Sequence, residues 1–309
     1  MSTDLNYIEV TPNIIMTALM TEETETLIRP YFYSNMSCII LPEELIFVNS
    51  SPHADLALKF RKDMEERTEK KTSHLILTTK SWDIIWGMEA FKDVTVVSSS
   101  VTKSGIRTNI KQGVDVSYRE WIIRQVPEDN KVHESLMKYG IFVPTTGFSK
   151  NNWLGSDIYP LELEVTIAGA VSIYCPMDKV LFSGNVIQSF SPPFIWPITG
   201  VNLYRKWEEL EIDRIVPNRG PVVGKDYLIQ LRKWMEAYLD KLREYKVQGI
   251  PEKQIFKQEY PDHPGKSRKS WIEGGPYHTG TIERLTRFWY KQILKEVQEE
   301  EGDLMFISS

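Results

Sequence analysis

The sequence has no apolar run approaching the length of a membrane span, so a transmembrane protein is not expected. It has only two cysteines, Cys38 and Cys175, far apart and in no C-x-x-C pair. Both read as core thiols of a reducing compartment rather than as a disulfide framework. Basic excess is missing as well: the net charge is -5, with Lys and Arg scattered among Asp and Glu. Nucleic acid is therefore not an expected partner. No GxGxxG or GxxxxGKS/T occurs, which weakens a doubly wound nucleotide-binding reading. Internal repeats, low-complexity tracts and long Gly/Ser linkers are absent. The first residues, Met1-Ser2-Thr3-Asp4, are acidic and no apolar signal core follows them, so a cytoplasmic location is expected.

What is present is an alternation of strand and helix signals over 309 residues, enough chain for a large core. Cys38-Ile39-Ile40-Leu41 and Leu45-Ile46-Phe47-Val48 flank a turn at Pro42-Glu43-Glu44 and read as a hairpin. Ser51 and Pro52 supply a helix start. Leu56, Phe60 and Met64 then recur at spacing four, and Lys70 and Lys71 suit the helix end, where cations favour its dipole. Leu75-Ile76-Leu77 reads as a buried strand that leads into a helix from Trp82, and Val94 to Val97 as the next strand. Residues 100–150 look helical and loop-rich.

Strands return at Leu161–Val165, Val171–Tyr174, Val180–Phe182 and Ile212–Val216. A helix from about Asp226 carries the stripe Leu228, Leu231, Met235, Leu239 and Leu242. A C-terminal helix carries Ile282, Leu285, Trp289, Ile293 and Val297. Between them, Pro251 to Pro276 reads as a connector with at most one short helix.

The stretch Thr78-Thr79-Lys80-Ser81-Trp82-Asp83-Ile84-Ile85-Trp86-Gly87 is the most informative. It resembles the metal-binding turn of the metallo-β-lactamase superfamily, a strand ending in Thr-His-x-His-x-Asp-His with a glycine three residues on. Thr78, Asp83 and Gly87 fall on that pattern, whereas Thr79, Ser81 and Ile84 occupy the histidine positions. Four more segments follow in the family's order. Leu45 to Ser50 resembles its second strand, with Asn49 at an acidic position. Thr166-Ile167-Ala168-Gly169 resembles a His-Thr-Pro-Gly turn. Leu181-Phe182-Ser183-Gly184-Asn185 resembles Leu-Phe-Thr-Gly-Asp, and Val216-Pro217-Asn218-Arg219-Gly220 resembles Val-Pro-Gly-His-Gly. His278 to Leu285 looks like the terminal helix of several family hydrolases.

The resemblance implies an α/β fold, the αββα sandwich of two face-to-face sheets with a C-terminal helical extension. It places the metallo-β-lactamase-like domain at residues 1–250, with 251–309 as connector and helix packed on it. It also implies a degenerate metal site whose ligand positions, Thr79, Ser81, Asp83, Ile84, Thr166, Asn185 and Arg219, converge on one cleft. Hydroxyl and amide oxygens are weak zinc ligands, Ile84 is none, and Arg219 repels cations, so neither metal nor other cofactor is expected.

Asp83 and Arg219 map onto ligands of the same ion. As a pair they form either a structural plug or part of an anion-binding pocket shared with Lys80. His53 reads as a base at the cleft mouth or as a capping residue, and His278 as a cleft or a structural residue. Ser81 invites a nucleophile reading with Lys80 or His53 as base. The Phe190–Pro197 loop, with Trp196, reads as a ligand flap, a partner contact or a packed cover. The resulting expectation is a pseudoenzyme that binds a small anionic ligand or a protein partner. The alternatives are a diverged hydrolase of esters, thioesters or phosphodiesters, and a subunit that oligomerises through its aromatic surface.

Overall fold

The computed structural model describes residues 5–17, 34–123, 140–189, 195–264 and 283–293. Two compact units are distinguished. The first comprises Met1–Ser189 with Ile212–Val223, and the second Phe190–Glu211 with Gly224–Ser309.

The first unit contains both sheets. One has seven strands, β1 (Tyr7–Thr11), β2 (Ile14–Thr17), β3 (Met36–Ile40), β4 (Glu44–Val48), β5 (Lys71–Leu77), β6 (Thr95–Ser99) and β7 (Thr146–Phe148), paired in sequence order. β1 to β4 run antiparallel; β4 to β7 are parallel neighbours. The other sheet holds β8 (Asn152–Gly155), β9 (Pro160–Val165), β10 (Val171–Cys175), β11 (Val180–Gly184) and β12 (Arg214–Pro217), in the order β12-β11-β10-β9-β8. Its β11–β12 pair is parallel, the rest antiparallel.

Strand alternation explains how the sheets stack. Ile39, Ile46, Val48, Ile76 and Val97 of the first sheet share a buried cluster with Leu161, Leu163, Val171, Ile173 and Phe182 of the second. Residues of opposite parity, among them Cys38, Leu45, Phe47, Leu75 and Val96, face a second cluster. That cluster is completed by Phe60 and Met64 of α1 (Ala54–Thr68), by Ile84 and Ile85 of α2 (Trp82–Ile85), by the 3-10 turn Trp86–Phe91, and by Ile106 of α3 (Ser100–Lys111). α4 (Val114–Ile123) follows α3. The mixed α/β architecture with two stacked sheets is the one expected.

Several local expectations are corrected. α1 ends at Thr68, with Glu69 in the left-handed region, and Lys71 opens β5 instead of closing the helix. The β5 strand is thus longer than its apolar core, because its first half is partly exposed. The N-cap of α1 is His53; Ser51 is not a cap but sits at φ 66 in the preceding turn. The short strand β7 lies where helix and loop were expected, and β8 lies between there and Leu161, where no element was expected.

In the second unit, α5 (Pro197–Glu208) and α6 (Lys225–Val247) are joined by Arg232–Glu208 at 2.5 Å and Arg205–Glu236 at 2.7 Å. Every residue of the α6 stripe is buried. A one-turn helix, α7 (Glu252–Ile255), lies in the connector, and residues 283–293 are helical. Leu285, Trp289 and Ile293 of that helix are buried, and the Trp289 indole donates to the Ile195 carbonyl at 2.9 Å. No helix among the described residues is long and apolar enough to cross a membrane.

Candidate functional site

Parallel pairing brings the ends of β4, β5 and β6 to one edge of the first sheet, and those of β11 and β12 to one edge of the second. Each of these strands is followed by a polar residue or ends in one. Asn49, Thr78, Asn185 and Asn218 stand just past the apolar runs and join in a single hydrogen-bonded network. The Asn49 carboxamide oxygen accepts from the Thr78 amide at 3.1 Å and the Thr78 hydroxyl at 2.9 Å. Asn49 Nδ2 donates to Asn218 Oδ1 at 2.9 Å. Asn218 Nδ2 donates to Thr78 Oγ1 at 2.9 Å and to Asn185 Oδ1 at 2.8 Å. Asn185 Nδ2 lies 3.5 Å from Thr79 Oγ1. Asn49, Thr78 and Asn218 are buried, and their polar atoms satisfy one another.

Beside this network lies an ion pair. Arg219 Nε donates to Asp83 Oδ2 at 2.8 Å, and Nη2 is 2.7 Å from the same oxygen. Asp83 is fully buried, whereas the Arg219 side chain is 27 % exposed. Both contacts fall on one carboxylate oxygen, so this is not a two-oxygen fork. Oδ1 is buried and has no hydrogen-bond partner among the described residues.

The backbone on both sides is held. The Ser34 hydroxyl donates to the Asp83 carbonyl at 2.5 Å. Asn35 Nδ2 donates to the carbonyls of Pro217 at 2.7 Å and Gly220 at 2.8 Å, and the Asn35 amide donates to the Asn218 carbonyl at 2.7 Å. Ser34 and Asn35 went unnoticed in the sequence because polar residues ahead of a strand look like ordinary loop.

Gly87 has a steric reason. Its amide donates to the Ser51 carbonyl at 2.8 Å, and a Cβ there would lie 1.8 Å from the Ser50 carbonyl oxygen. The turn after β4, with Asn49 and Ser51 both at positive φ, is thus pressed onto the α2 segment. Ser50 adds a hydroxyl bond to the Ile84 carbonyl at 2.6 Å.

The other sequence candidates fall as follows. The Thr79 hydroxyl accepts from the Ser81 amide at 3.1 Å, a local turn bond. Ser81 is half-buried and its hydroxyl makes no hydrogen bond among the described residues. Ile84 is a core residue with no exposure. Lys80 is exposed, and its chain lies over Gly105 of α3, where a Cβ would come within 2.5 Å of Lys80 Cδ. Thr166 bonds within its own turn, amide and hydroxyl both reaching the Ala170 carbonyl; the link from that turn to β5 is Val171 N to Thr78 O at 2.8 Å. Thr166 makes no hydrogen bond to Asp83 or Arg219.

His53 is 7 % exposed, and burial lowers its pKa to about 4, against a smaller opposing pull from Asp55. It is neutral at pH 7. Trp196, in the second unit, is 46 % exposed with its ring 5.4 Å from Phe288. His278 and residues 190–194 of the aromatic loop lie outside the described residues.

These donors do not fit a zinc site. The one carboxylate is committed to a guanidinium, the hydroxyls and amides are weak zinc donors, and Ile84 has none to offer. Among the described residues, no group of three or more His, Cys, Asp or Glu side chains could hold a metal ion.

No protein-family profile matches the chain, and no curated protein matches its sequence. Solved structures do. A metallo-β-lactamase from Pontibacter korlensis superposes with a TM-score of 0.56 at 15% identity, over 75% of this chain and 99% of that one. The chain has the metallo-β-lactamase fold. The sec-alkylsulfatase Pisa1 from Pseudomonas sp., described as stereoselective and inverting, superposes with a TM-score of 0.64 at 15% identity over 93% of this chain. A double mutant of the sec-alkyl sulfatase PisA1 gives 0.67 at 15% identity over 94%. The chain spans about half the length of these sulfatase chains, 50% in both. At such identity the likeness concerns the metallo-β-lactamase fold alone.

Proposed function

We propose that this is a metal-free protein of the metallo-β-lactamase fold that acts by binding, a pseudoenzyme whose ligand is a small anion or a protein partner. One observation carries the reading. Asp83 and Arg219, which the resemblance maps onto ligands of a single metal ion, are bonded to each other. A guanidinium in contact with the only mapped carboxylate supplies the positive charge that the carboxylate needs once a metal is lost. The amide network supports the same reading, since Asn49 and Asn185 stand at positions the resemblance makes acidic, and neutral amides need no cation.

A second reading, a diverged hydrolase of an ester, thioester or phosphodiester, is favoured by one feature. The Ser81 hydroxyl is uncommitted among the described residues and stands next to the exposed Lys80. A substrate panel of activated esters, thioesters and phosphodiesters, run with and without added zinc, separates the two. The binding reading expects no turnover above background in either series, and Ser81-dependent turnover in either would overturn it.

A further inference from the structure

We infer that the outer edge of Arg219 is the seat of the ligand's anionic group, and that this group is a singly charged carboxylate. The inference deepens the binding reading and rests on it. A guanidinium carries five N–H donors in a planar fork. Arg219 spends Nε and one side of Nη2 on Asp83 Oδ2. It has no other partner among the described residues, so both N–H groups of Nη1 and the second of Nη2 remain. That edge is the one that takes two side-by-side oxygens. Asp83 is fully buried and Arg219 is 27 % exposed, and no unpaired Arg219 nitrogen is among the buried atoms, so the unused edge reaches the open side.

The arginine is also held before any ligand arrives. Its backbone segment is fixed by three hydrogen bonds from Asn35, to the carbonyls of Pro217, Asn218 and Gly220. Its side chain is fixed by an aspartate whose own carbonyl is tied to Ser34. Little ordering entropy is left to lose on binding.

Charge decides the valence of the guest. Asp83 and Arg219 sum to zero, so the pair has no surplus positive charge to hold a second negative charge, and the neighbouring Lys80 lies over Gly105 of α3. A guest with one negative charge, spread over two coplanar oxygens, matches this balance better than a phosphate dianion.

The test is a titration of the ¹⁵N-labelled full chain with acetate and with inorganic phosphate, at pH 8, where inorganic phosphate is mostly the dianion, and at fixed ionic strength. It follows the Arg219 Nε–Hε resonance, which is assigned by its loss in Arg219→Lys, together with the backbone amide resonances around Asp83 and residue 219, which report acetate binding in both parent and variant. We expect a saturable acetate shift at Arg219, weaker binding of phosphate, and about tenfold or more weakening of acetate in Arg219→Lys, which keeps the charge but not the fork. No saturable shift at Arg219, tighter phosphate binding, or unchanged acetate affinity in Arg219→Lys would overturn the inference. Should Arg219→Lys not fold, the parent decides: shifts centred on surface lysines instead of the Asp83–Arg219 surroundings also overturn it. Metal content measured on the same sample separates the two claims. A metal-free protein that ignores acetate refutes this inference alone, and stoichiometric metal refutes the binding reading beneath it.

Discussion

Asp83 and Arg219, 136 positions apart, meet through a single carboxylate oxygen, the aspartate in the first turn of α2 and the arginine two residues past β12. The aspartate is inside, the arginine partly outside, and neither has another side-chain partner among the described residues. Removing the arginine leaves a buried carboxylate uncompensated. Arg219→Ala should lose about 3 kcal/mol of stability, the low end for a buried pair because the arginine is partly hydrated. Equilibrium urea unfolding measures this, and Arg219→Lys should recover part of the loss.

The amide network should be costly to interrupt at its centre. Asn218 exchanges hydrogen bonds with Asn49, Thr78 and Asn185, so Asn218→Ala leaves several buried groups unpaired. A loss of about 2–3 kcal/mol is expected, roughly the desolvation penalty of the groups left behind. Thr79→Ala, by contrast, loses a local turn bond and one long contact to Asn185 at the margin of the network, and should cost about 1 kcal/mol.

At Gly87 the obstacle is backbone. A methyl group there would collide with the Ser50 carbonyl oxygen at 1.8 Å, and that carbonyl belongs to a turn already at positive φ on both sides. Gly87→Ala should therefore destabilise by about 3 kcal/mol or more and lower the thermal midpoint, although alanine is the better helix former.

Acid stability follows from two buried histidines. His53 has a folded pKa lowered to about 4 and His263 to about 3, both chiefly by burial. Below about pH 6.5 the unfolded chain takes up protons at these rings that the folded chain does not, so stability falls as pH falls. The loss continues until the folded-state values are reached, each ring contributing a slope of about 1.4 kcal/mol per pH unit. His53→Asn keeps a side chain suited to an N-cap and should flatten the pH dependence of urea unfolding between pH 6 and 4.

The sequence was most legible where strands end. Apolar runs such as Leu75–Leu77 and Val180–Phe182 are unmistakable, and the polar residue after each is the natural suspect, because strand ends are where side chains leave the core. That signal reaches Thr78 directly, whereas Asp83, Asn185 and Arg219 were singled out by the resemblance that maps them onto ligand positions. β7 and β8 were not legible, being short and mostly exposed, so no burial pattern marks them. Nor was the start of β5, where Lys71 and Ser73 carry no apolar signal. The Asn35 clamp depends on a partner 182 residues away, and a single asparagine before a strand gives no hint of it. Ser51 looked like a helix cap because its type suits one; the close approach of Gly87 puts it in the turn instead.

The central claim is that the protein's own ion pair stands in for a metal, and one measurement addresses it most directly. The purified chain is analysed for bound metal by mass spectrometry, and its thermal midpoint is recorded with and without excess EDTA. The account predicts metal far below one equivalent and a midpoint that EDTA leaves unchanged. About one equivalent of zinc, together with a lower midpoint in EDTA, would contradict it.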